Sequence, residues 1–260
     1  MRSLRTQHLT LLFLLLFSPQ FLPYTHADEY IFASIEFEPF GYVEDGAIKG
    51  IIPDIARAIA DEANIQIEIK LLPYSRVVNY TKNGDADLAI FSRNSDNDAE
   101  VDYISLLFVQ NVILLTKKGN PLLSHKEIYD PGKIQTIGYL RGTNFCPQIL
   151  QDDRLSTYEI KDFSQGLKML NSNRISAFLT IDSTALYESK KLGLQDSFEF
   201  PGFSIRTLDA WLQMPKSSAV DKTFPIDAIR SAANKLKTED KIEAILKKHL
   251  QTQQIQSHQQ

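Results

Sequence analysis

The sequence predicts an α/β protein of two lobes, each a sheet flanked by helices, joined by a hinge of two strands. Alternating strand and helix patterns occur in two separate units, at residues 30–91 and 136–191, and such alternation is typical of parallel sheets covered by helices. Extended stretches at residues 108–117 and 205–214 connect the units to each other and to the end of the chain. Two final helices then have no strands of their own to cover. Two independent tandem domains, the alternative arrangement, would leave these helices without a sheet.

The first unit begins with a predicted strand at residues 30–35 and a turn rich in glycine and acidic residues at 41–50. Apolar side chains then recur at helical spacing, from Ile52 through Ile55 and Ile59 to Ala63. Asp54 falls in the first turn of this helix, where a negative charge is favourable. An alternating strand at 65–72, a helix at 75–83 and a short buried strand at 88–91 complete the unit.

The second unit repeats this order, with strands at 136–140, 158–161 and 177–181 and helices at 163–170 and 183–191. The final helices are predicted at 225–236 and 239–250, with Thr238 as the N-cap of the second. We expect the chain to cross into the second lobe near residues 109–113 and to return near 204–209. The first lobe then comprises residues 28–110 and 207–250, the second lobe 111–206, and a flexible tail 251–260. Two crossings make a hinge, and ligands bind in the cleft between such lobes.

The N-terminus has the pattern of a secretory signal peptide. Arg2 and Arg5 form a basic start, residues 9–17 are almost unbroken apolar sequence, and Thr25-His26-Ala27 supplies small residues at the cleavage positions. The alternative is a membrane anchor, but the apolar run is well short of the ~20 residues needed to span a bilayer. We therefore predict a signal peptide at residues 1–27, cleavage after Ala27 and export to the periplasm.

The composition predicts a mildly acidic soluble domain. Without residues 1–27 the chain has 26 basic and 32 acidic side chains, a net charge of −6, which argues against a nucleic-acid or anionic-lipid surface. The single Cys146 cannot form an internal disulfide, and we expect it to be a small buried apolar side chain. The sequence has no metal-binding cluster, no glycine-rich nucleotide loop and no Ser/His/Asp pattern, so we predict neither a cofactor nor a metal. A monomer is expected.

Four motifs in register carry a resemblance to a known family. They are Glu-Pro-Phe-Gly at 38–41 with Pro-Asp-Ile-Ala at 53–56, Leu-Pro-Tyr-Ser-Arg at 72–76 with Gly-Asp-Ala-Asp at 84–87, Gly-Tyr-Leu-Arg-Gly-Thr at 138–143, and the segment 170–182 that ends in Thr-Ile-Asp. Together they resemble bacterial extracellular solute-binding proteins of family 3, the periplasmic polar-amino-acid-binding type. The resemblance covers essentially the whole chain after residue 27. It implies the type II periplasmic binding fold and a ligand site between the lobes.

The resemblance also assigns roles to individual residues. Phe37 and Tyr74 fall where the family places aromatic rings above and below the ligand, although both rings would be equally ordinary in a core. Asp182 resembles the family's partner for the α-amino group of the ligand. Its alternative is an N-cap for the helix from Ser183 onward, and both roles can coexist.

An anion has several candidate ligands in the sequence. The backbone N–H groups of Thr143 and Asn144 precede a predicted helix and could receive one, the alternative being an ordinary turn. The family usually carries a Thr-x-x-Arg whose arginine grips the ligand carboxylate in a bidentate pair. By spacing, that arginine falls at Ala99 and is missing. Ser92 and Arg93 at the end of the preceding strand, and Arg141, are the candidate substitutes.

Arg93 also has a structural alternative, a surface ion pair with Asp96, Asp98 or Asp102. The missing arginine puts a standard α-amino acid in doubt and leaves a cationic or hydroxylated ligand open. The expected function is nevertheless capture of a small polar ligand, an amino acid or related compound, and its delivery to an inner-membrane ABC transporter.

Two other function classes are compatible with the same fold. One is an enzyme similar to cyclohexadienyl dehydratases, which would need a general acid with a raised pKa in the cleft. Glu36, Glu38 and Glu188 are the acids available for that role. The other is a free-standing sensor that presents its ligand to a membrane receptor.

Overall fold

A computed structural model describes residues 29–143, 145–216 and 224–251 of the chain. The predicted signal peptide, Asn144 and residues 252–260 of the predicted tail lie outside these ranges. In the described ranges the strands are β1 (Glu29–Ile35), β2 (Tyr42–Glu44), β3 (Ala47–Lys49), β4 (Gln66–Leu72), β5 (Leu88–Ser92), β6 (Val101–Thr116), β7 (Ile137–Leu140), β8 (Thr157–Ile160), β9 (Ala177–Ile181) and β10 (Phe203–Pro215). The helices are α1 (Ile51–Ala63), α2 (Tyr74–Asn83), α3 (Pro147–Leu150), α4 (Phe163–Asn171), α5 (Asp182–Lys191), α6 (Ile226–Thr238) and α7 (Lys241–Gln251).

Eight strands form one sheet in the order β4-β1-β5-β10-β6-β9-β7-β8, and β2 and β3 form a separate hairpin. β1 pairs in parallel with β4 and β5, and β7 pairs in parallel with β8 and β9. Between these parallel groups lie β6 and β10, which pair antiparallel with each other and with their other neighbours. We call β6 and β10 the hinge strands. The first lobe is β1–β5 with α1, α2, α6 and α7, and the second lobe is β7–β9 with α3–α5.

The first lobe has its own apolar core, which unites segments from both ends of the chain. Ile51, Ile55 and Ile59 of α1 belong to the same buried cluster as Ile229 and Leu236 of α6. Burying an isoleucine side chain contributes about 1.5–3 kcal/mol, so these residues fix α6 against α1 in the first-lobe core. The final helices therefore have a sheet to cover, although it is made from strands far earlier in the sequence.

Each hinge strand belongs to both lobes. Phe108 and Ala210 lie in the core of the first lobe, whereas Val112 packs in a buried cluster of the second lobe that Leu208 also contacts. β6 therefore passes from one core to the other between residues 108 and 112, and β10 passes back between 208 and 210. The lobe boundaries predicted at 110/111 and 206/207 lie within these strands and remain predictions.

Most predicted elements are present, with shifts of one or two residues at their ends. α2 ends before Gly84, which has φ 81° and serves as the C-cap, as the sequence indicated. Cys146 is buried in the second lobe, as predicted. The prediction of Thr238 as an N-cap is wrong: it is the last residue of α6, and its hydroxyl donates to the carbonyl of Lys235 over 2.9 Å. Among the described helices none is long and apolar enough to cross a membrane.

Candidate ligand-binding cleft

The carboxyl ends of strands from the two lobes converge on the hinge. β5 of the first lobe ends at Ser92, opposite Ala210 of β10, and β9 of the second lobe ends at Ile181, opposite Val112 of β6. The hinge strands β6 and β10 are antiparallel to each other, β5 is antiparallel to β10, and β9 is antiparallel to β6. Strands β5 and β9 therefore point in opposite directions and end on either side of the hinge strands. Ligands of open α/β sheets bind outside the carboxyl ends of the strands. The residues that follow β5 and β9 are therefore placed to face a common cleft.

Asp182 begins α5, directly after β9, and is tied to the hinge by hydrogen bonds. Asn111 of β6 donates from Nδ2 to Oδ2 of Asp182 over 2.7 Å, and its backbone N–H donates to Oδ1 over 3.4 Å. The backbone N–H of Ser183 also donates to Oδ1, over 2.7 Å. The carboxylate is thus fixed by three donors. The alternative role of Asp182 as an N-cap is wrong, because Asp182 is the first residue of α5 and Ile181 occupies the N-cap position.

The hinge strands expose one polar face beside Asp182. In the β6–β10 pairing Thr207 lies opposite Asn111, and Asp209 lies opposite Val109. Side chains alternate between the faces of a strand, so these four residues share a face, while Phe108 and Ala210 point to the other side and into the first-lobe core. Thr207 and Asp209 are exposed, and half of the Val109 surface is accessible. The floor of the cleft is therefore polar and carries a second carboxylate.

The two predicted aromatic contacts occupy different environments. Phe37, in the loop after β1, stacks on Phe40 with ring centroids 6.2 Å apart and contacts Phe163 of the second lobe at 4.8 Å. Tyr74 begins α2, is 53% exposed and meets the Phe91 ring edge-on at 6.3 Å. The Phe37 ring therefore contacts aromatic rings of both lobes, whereas Tyr74 presents a solvent-accessible ring near the end of β5.

Arg93 follows Ser92 and is held from two sides. Its Nη2 donates to Oδ2 of Asp98 over 3.0 Å, and the guanidinium lies over the Tyr103 ring at 4.7 Å. The Asp98 carboxylate, by hydrogen bond and charge, raises the pKa of Arg93, and Arg93 in turn lowers the pKa of Asp98. The ion pair expected as the alternative is thus present with Asp98. The hydrogen bond to Asp98 uses Nη2, and a guanidinium carries five donors.

The second-lobe anion candidates are engaged in local contacts. Arg141 donates from Nε to Glu159 over 3.2 Å and is largely exposed. Both the backbone N–H and the hydroxyl of Thr143 donate to the carbonyl of Leu140, over 3.1 and 2.6 Å. The next helix, α3, begins only at Pro147 and is four residues long. Asn144 lies outside the described residues. Of the three second-lobe anion candidates, the structure therefore describes Arg141 and Thr143.

Sequence reasoning missed residues that connect the lobes or the hinge. Asn111 is one, because its contact with Asp182 depends on the β6–β9 register. Glu38 is another: its Oε2 accepts hydrogen bonds from the Tyr187 hydroxyl over 3.1 Å and from Lys191 Nζ over 2.6 Å. The motif at residues 38–41 drew attention to Glu38 only as a family signature and a candidate acid.

The charges around α5 are partly buried. Burial raises the pKa of Tyr187, and the Glu38 carboxylate adds to the shift. Burial also raises the pKa of Glu188; the Lys191 ammonium opposes this shift and Glu38 adds to it. In the ranges that the structure describes, no group of three or more His, Cys, Asp or Glu side chains could hold a metal ion.

The fold defines a two-lobed α/β protein of the type II periplasmic binding class. The second substrate-binding domain of a putative amino acid ABC transporter from Streptococcus pneumoniae superposes with a TM-score of 0.67 at 20% identity, over 86% of this chain and all of that one. A histidine kinase sensor domain with similarity to periplasmic binding proteins gives a TM-score of 0.67 at 13% identity, over 87% and 97% of the two chains. These likenesses establish the fold.

The sequence itself identifies the family. The model of bacterial extracellular solute-binding proteins, family 3, matches residues 31–252, and the chain belongs to this family. A curated relative is the arginine-binding extracellular protein ArtP of Bacillus subtilis (strain 168), 24% identical over 112 residues. That match spans 42% of this chain and 42% of the relative, so the chain matches about two fifths of the relative's length.

Proposed function

We propose that this protein captures an amino acid or a related small polar compound in the interlobe cleft by hinge closure and delivers it to an ABC transporter. The observation that carries the proposal is the fixed carboxylate of Asp182, which stands where strand ends from both lobes converge on the hinge. Family membership and the likeness to a transporter's substrate-binding domain support it. Export to the periplasm, after removal of residues 1–27, is part of the proposal.

The proposed ligand contacts come from both lobes and the hinge. Phe37, Tyr74, Ser92 and Arg93 supply the first-lobe wall, and Asp182, with Arg141, Thr143 and Asn144, supplies the second. A ligand that touches both walls is bound more tightly in the closed arrangement, and this difference in affinity drives closure. The cleft then acts by binding alone, and no chemical step is needed.

The charges favour a ligand that carries a protonated amine. Asp182 is bonded to Asn111, and Asp209 lies on the same face of the hinge strands, two residues beyond Thr207, which is opposite Asn111. In contrast, Arg93 and Arg141 are each already paired with a carboxylate. A desolvated ammonium group would be compensated by such carboxylates. Amino acids with a second amine, such as arginine and lysine, and polyamines are therefore the first candidates.

A thermal-unfolding screen tests the proposal. The protein without residues 1–27 is denatured and refolded to remove bound ligand, then heated with amino acids, opines, polyamines and small organic acids. A ligand at about 100 times its Kd stabilises the folded state by about 2.7 kcal/mol, which raises Tm by roughly 5 °C or more for a chain of this size. A shift confined to one chemical class supports the proposal and identifies the recognised group. A folded protein that no compound stabilises contradicts it.

A sensor role is the second candidate, because the fold is shared with a histidine kinase sensor domain. The ligand-loaded form would then bind a receptor domain instead of a transporter. Pull-down with the ligand-loaded protein from solubilised inner membranes separates the two roles, since a transporter permease and a receptor kinase are distinguished by mass spectrometry.

An enzymatic role has one observation in its favour, the raised pKa of Glu188. Incubation of each stabilising compound with the protein, followed by product analysis, tests that role.

A further inference from the structure

The loop after β1 reaches across to the second lobe. Glu38 belongs to this first-lobe loop, and its Oε2 accepts hydrogen bonds from Tyr187 and Lys191 of α5, over 3.1 and 2.6 Å. These residues are 149 and 153 positions away in sequence. Beside them, the rings of Phe37 and Phe163 meet at 4.8 Å. A charged contact and an apolar contact therefore join the same loop to two helices of the other lobe.

A second contact joins α5 to the first lobe from another side. Lys190 donates from Nζ to the backbone carbonyl of Leu250 over 2.7 Å. Leu250 lies in α7, which is anchored to α1 because Lys248 and His249 bond to Asp54 over 3.0 and 2.9 Å. The C-terminal half of α5 is thus held between the Glu38 loop and α7, both of which belong to the first lobe.

We propose that the Glu38 contacts with Tyr187 and Lys191 form an interlobe clasp that stabilises the closed arrangement before any ligand binds. The inference rests on the hinge closure of the proposed function, because the clasp joins parts that move apart when the hinge opens. Its charged pair is partly exposed, with 46% of the Lys191 side chain and 34% of the Glu38 side chain accessible. Such pairs are weak and are screened by salt. The clasp therefore tunes the balance between open and closed forms and does not lock it.

The clasp sets part of the apparent ligand affinity. When only a fraction of the free protein is in the binding-competent arrangement, the apparent Kd equals the intrinsic Kd divided by that fraction. Removing the clasp should lower the closed-to-open ratio of the empty protein by about two- to fivefold, the range that a partly exposed ion pair supports. The apparent affinity for a ligand that binds the closed form should fall by the same factor where the closed form is the minor one.

The experiment measures interlobe distances in the ligand-free protein. Spin labels are attached at Asp61→Cys on α1 and Lys168→Cys on α4, both exposed positions, while the native Cys146 is buried. Distance distributions are recorded by pulsed electron resonance for the parent and for Glu38→Gln, which removes the charge with little change in shape. Glu62→Gln is the matched control, because Glu62 makes a 2.6 Å pair with Lys235 of similar exposure inside the first lobe.

The clasp predicts two distance populations whose short-distance share falls in Glu38→Gln and is unchanged in Glu62→Gln. The exchanged pair Glu38→Lys with Lys191→Glu should recover that share, and 1 M salt should lower it in the parent more than in Glu38→Gln. Two populations with the same ratio in the parent and Glu38→Gln would overturn the clasp and leave hinge closure intact. A single distance in every sample, including samples with L-arginine, L-lysine or putrescine at saturating concentration, would contradict hinge closure itself.

Discussion

Asn111 of the hinge strand β6 donates a 2.7 Å hydrogen bond to the carboxylate of Asp182, the first residue of α5 in the second lobe. The oxygen of the same amide lies 3.5 Å from the hydroxyl of Ser204 on the other hinge strand. One side chain therefore connects both hinge strands to the carboxylate at the centre of the candidate cleft. A movement of the hinge at this position therefore changes the position of the Asp182 carboxylate.

Asn111→Leu is predicted to weaken ligand binding while the protein still folds. Leucine keeps the volume but removes the donor, so Asp182 loses a hydrogen bond of about 1.5–3 kcal/mol, and we expect a rise in Kd of about tenfold. Isothermal titration with the strongest compound of the unfolding screen measures it. Asn120→Leu is the control, because the side-chain amide of Asn120 donates a long hydrogen bond of 3.5 Å to the carbonyl of Lys133 in a second-lobe loop. Equal affinities in both variants would show that Asn111 does not position Asp182.

Asp182→Ala is predicted to abolish or severely weaken binding while the protein still folds. Its side chain is only partly buried, so circular dichroism melting should show a cooperatively folded protein, with a lower Tm because the bonds from Asn111 of β6 are lost. The lost contact is charge-assisted, and such hydrogen bonds are about twice as strong as neutral ones. Unchanged affinity in titration would remove Asp182 from the site.

Arg93→Ala tests whether the guanidinium grips a ligand carboxylate. Asp98 and Tyr103 orient the group and leave donors available for a ligand, so we predict a rise in Kd of at least tenfold for an amino acid and a much smaller one for the corresponding decarboxylated amine. The paired measurement separates loss of a carboxylate contact from general damage. Equal losses for both compounds would mean that the Arg93–Asp98 pair is structural.

Asp54→Asn is predicted to destabilise the first lobe at neutral pH and not in acid. Partial burial raises the pKa of Asp54, but hydrogen bonds from His249 and Lys248 outweigh it and the net shift is downward. A lowered folded-state pKa contributes stability above the ordinary value near 4, and this contribution is lost as the pH falls through the lower, folded-state pKa. We expect a deficit of about 1 kcal/mol at pH 7 that shrinks below about pH 4.

Urea unfolding at pH 7 and pH 3 measures the Asp54 effect. The control is Asp227→Asn, which removes an exposed pair with Arg230 on the surface of α6 and should cost less than about 0.5 kcal/mol at either pH. A deficit for Asp54→Asn that is as large at pH 3 as at pH 7 would contradict the assignment of the effect to its charge.

Gly50→Ala is predicted to destabilise the protein by about 2–4 kcal/mol, the combined range for backbone strain and a steric clash. Gly50 precedes α1 with φ 126°, and a Cβ there would lie 2.6 Å from the carbonyl oxygen of Phe40. Gly46 in the β2–β3 turn has φ 77° with open space around it, so Gly46→Ala should cost only about 1 kcal/mol. Urea unfolding of both variants tests the difference, and equal costs would show that the Phe40 contact relaxes freely.

Local patterns in the sequence were sufficient for the helices and for most of the strands. The helical spacing of Ile52, Ile55 and Ile59 predicted α1, and all three side chains are buried. The first half of β6 was missed for a physical reason. Register shifts against Ala210/Trp211 and Leu212/Gln213 interrupt the pairing there, and each bulge breaks the two-residue alternation that indicates a strand.

The candidate site was predictable only where a residue follows a buried strand directly. Asp182 and Arg93 were found in this way. Their partners were not equally predictable. Asp98 is near enough to Arg93 in sequence to be proposed, whereas Asn111 contacts Asp182 only because Val112 pairs with Ile181. The contact of Glu38 with Lys191 depends on the packing of two lobes and has no local signature at all.

The position of the two hinge strands in the sequence also determines the order in which the two lobes can fold. The second lobe is one uninterrupted segment between β6 and β10, so all its core residues are available as soon as that segment exists. The first lobe is split, because Ile229 and Leu236 must return to the core of Ile51 and Ile55 across the entire second lobe. Contacts of such large sequence separation form slowly. Because the chain is synthesised from its N-terminus, the second lobe can therefore fold before the last two helices of the first lobe are available.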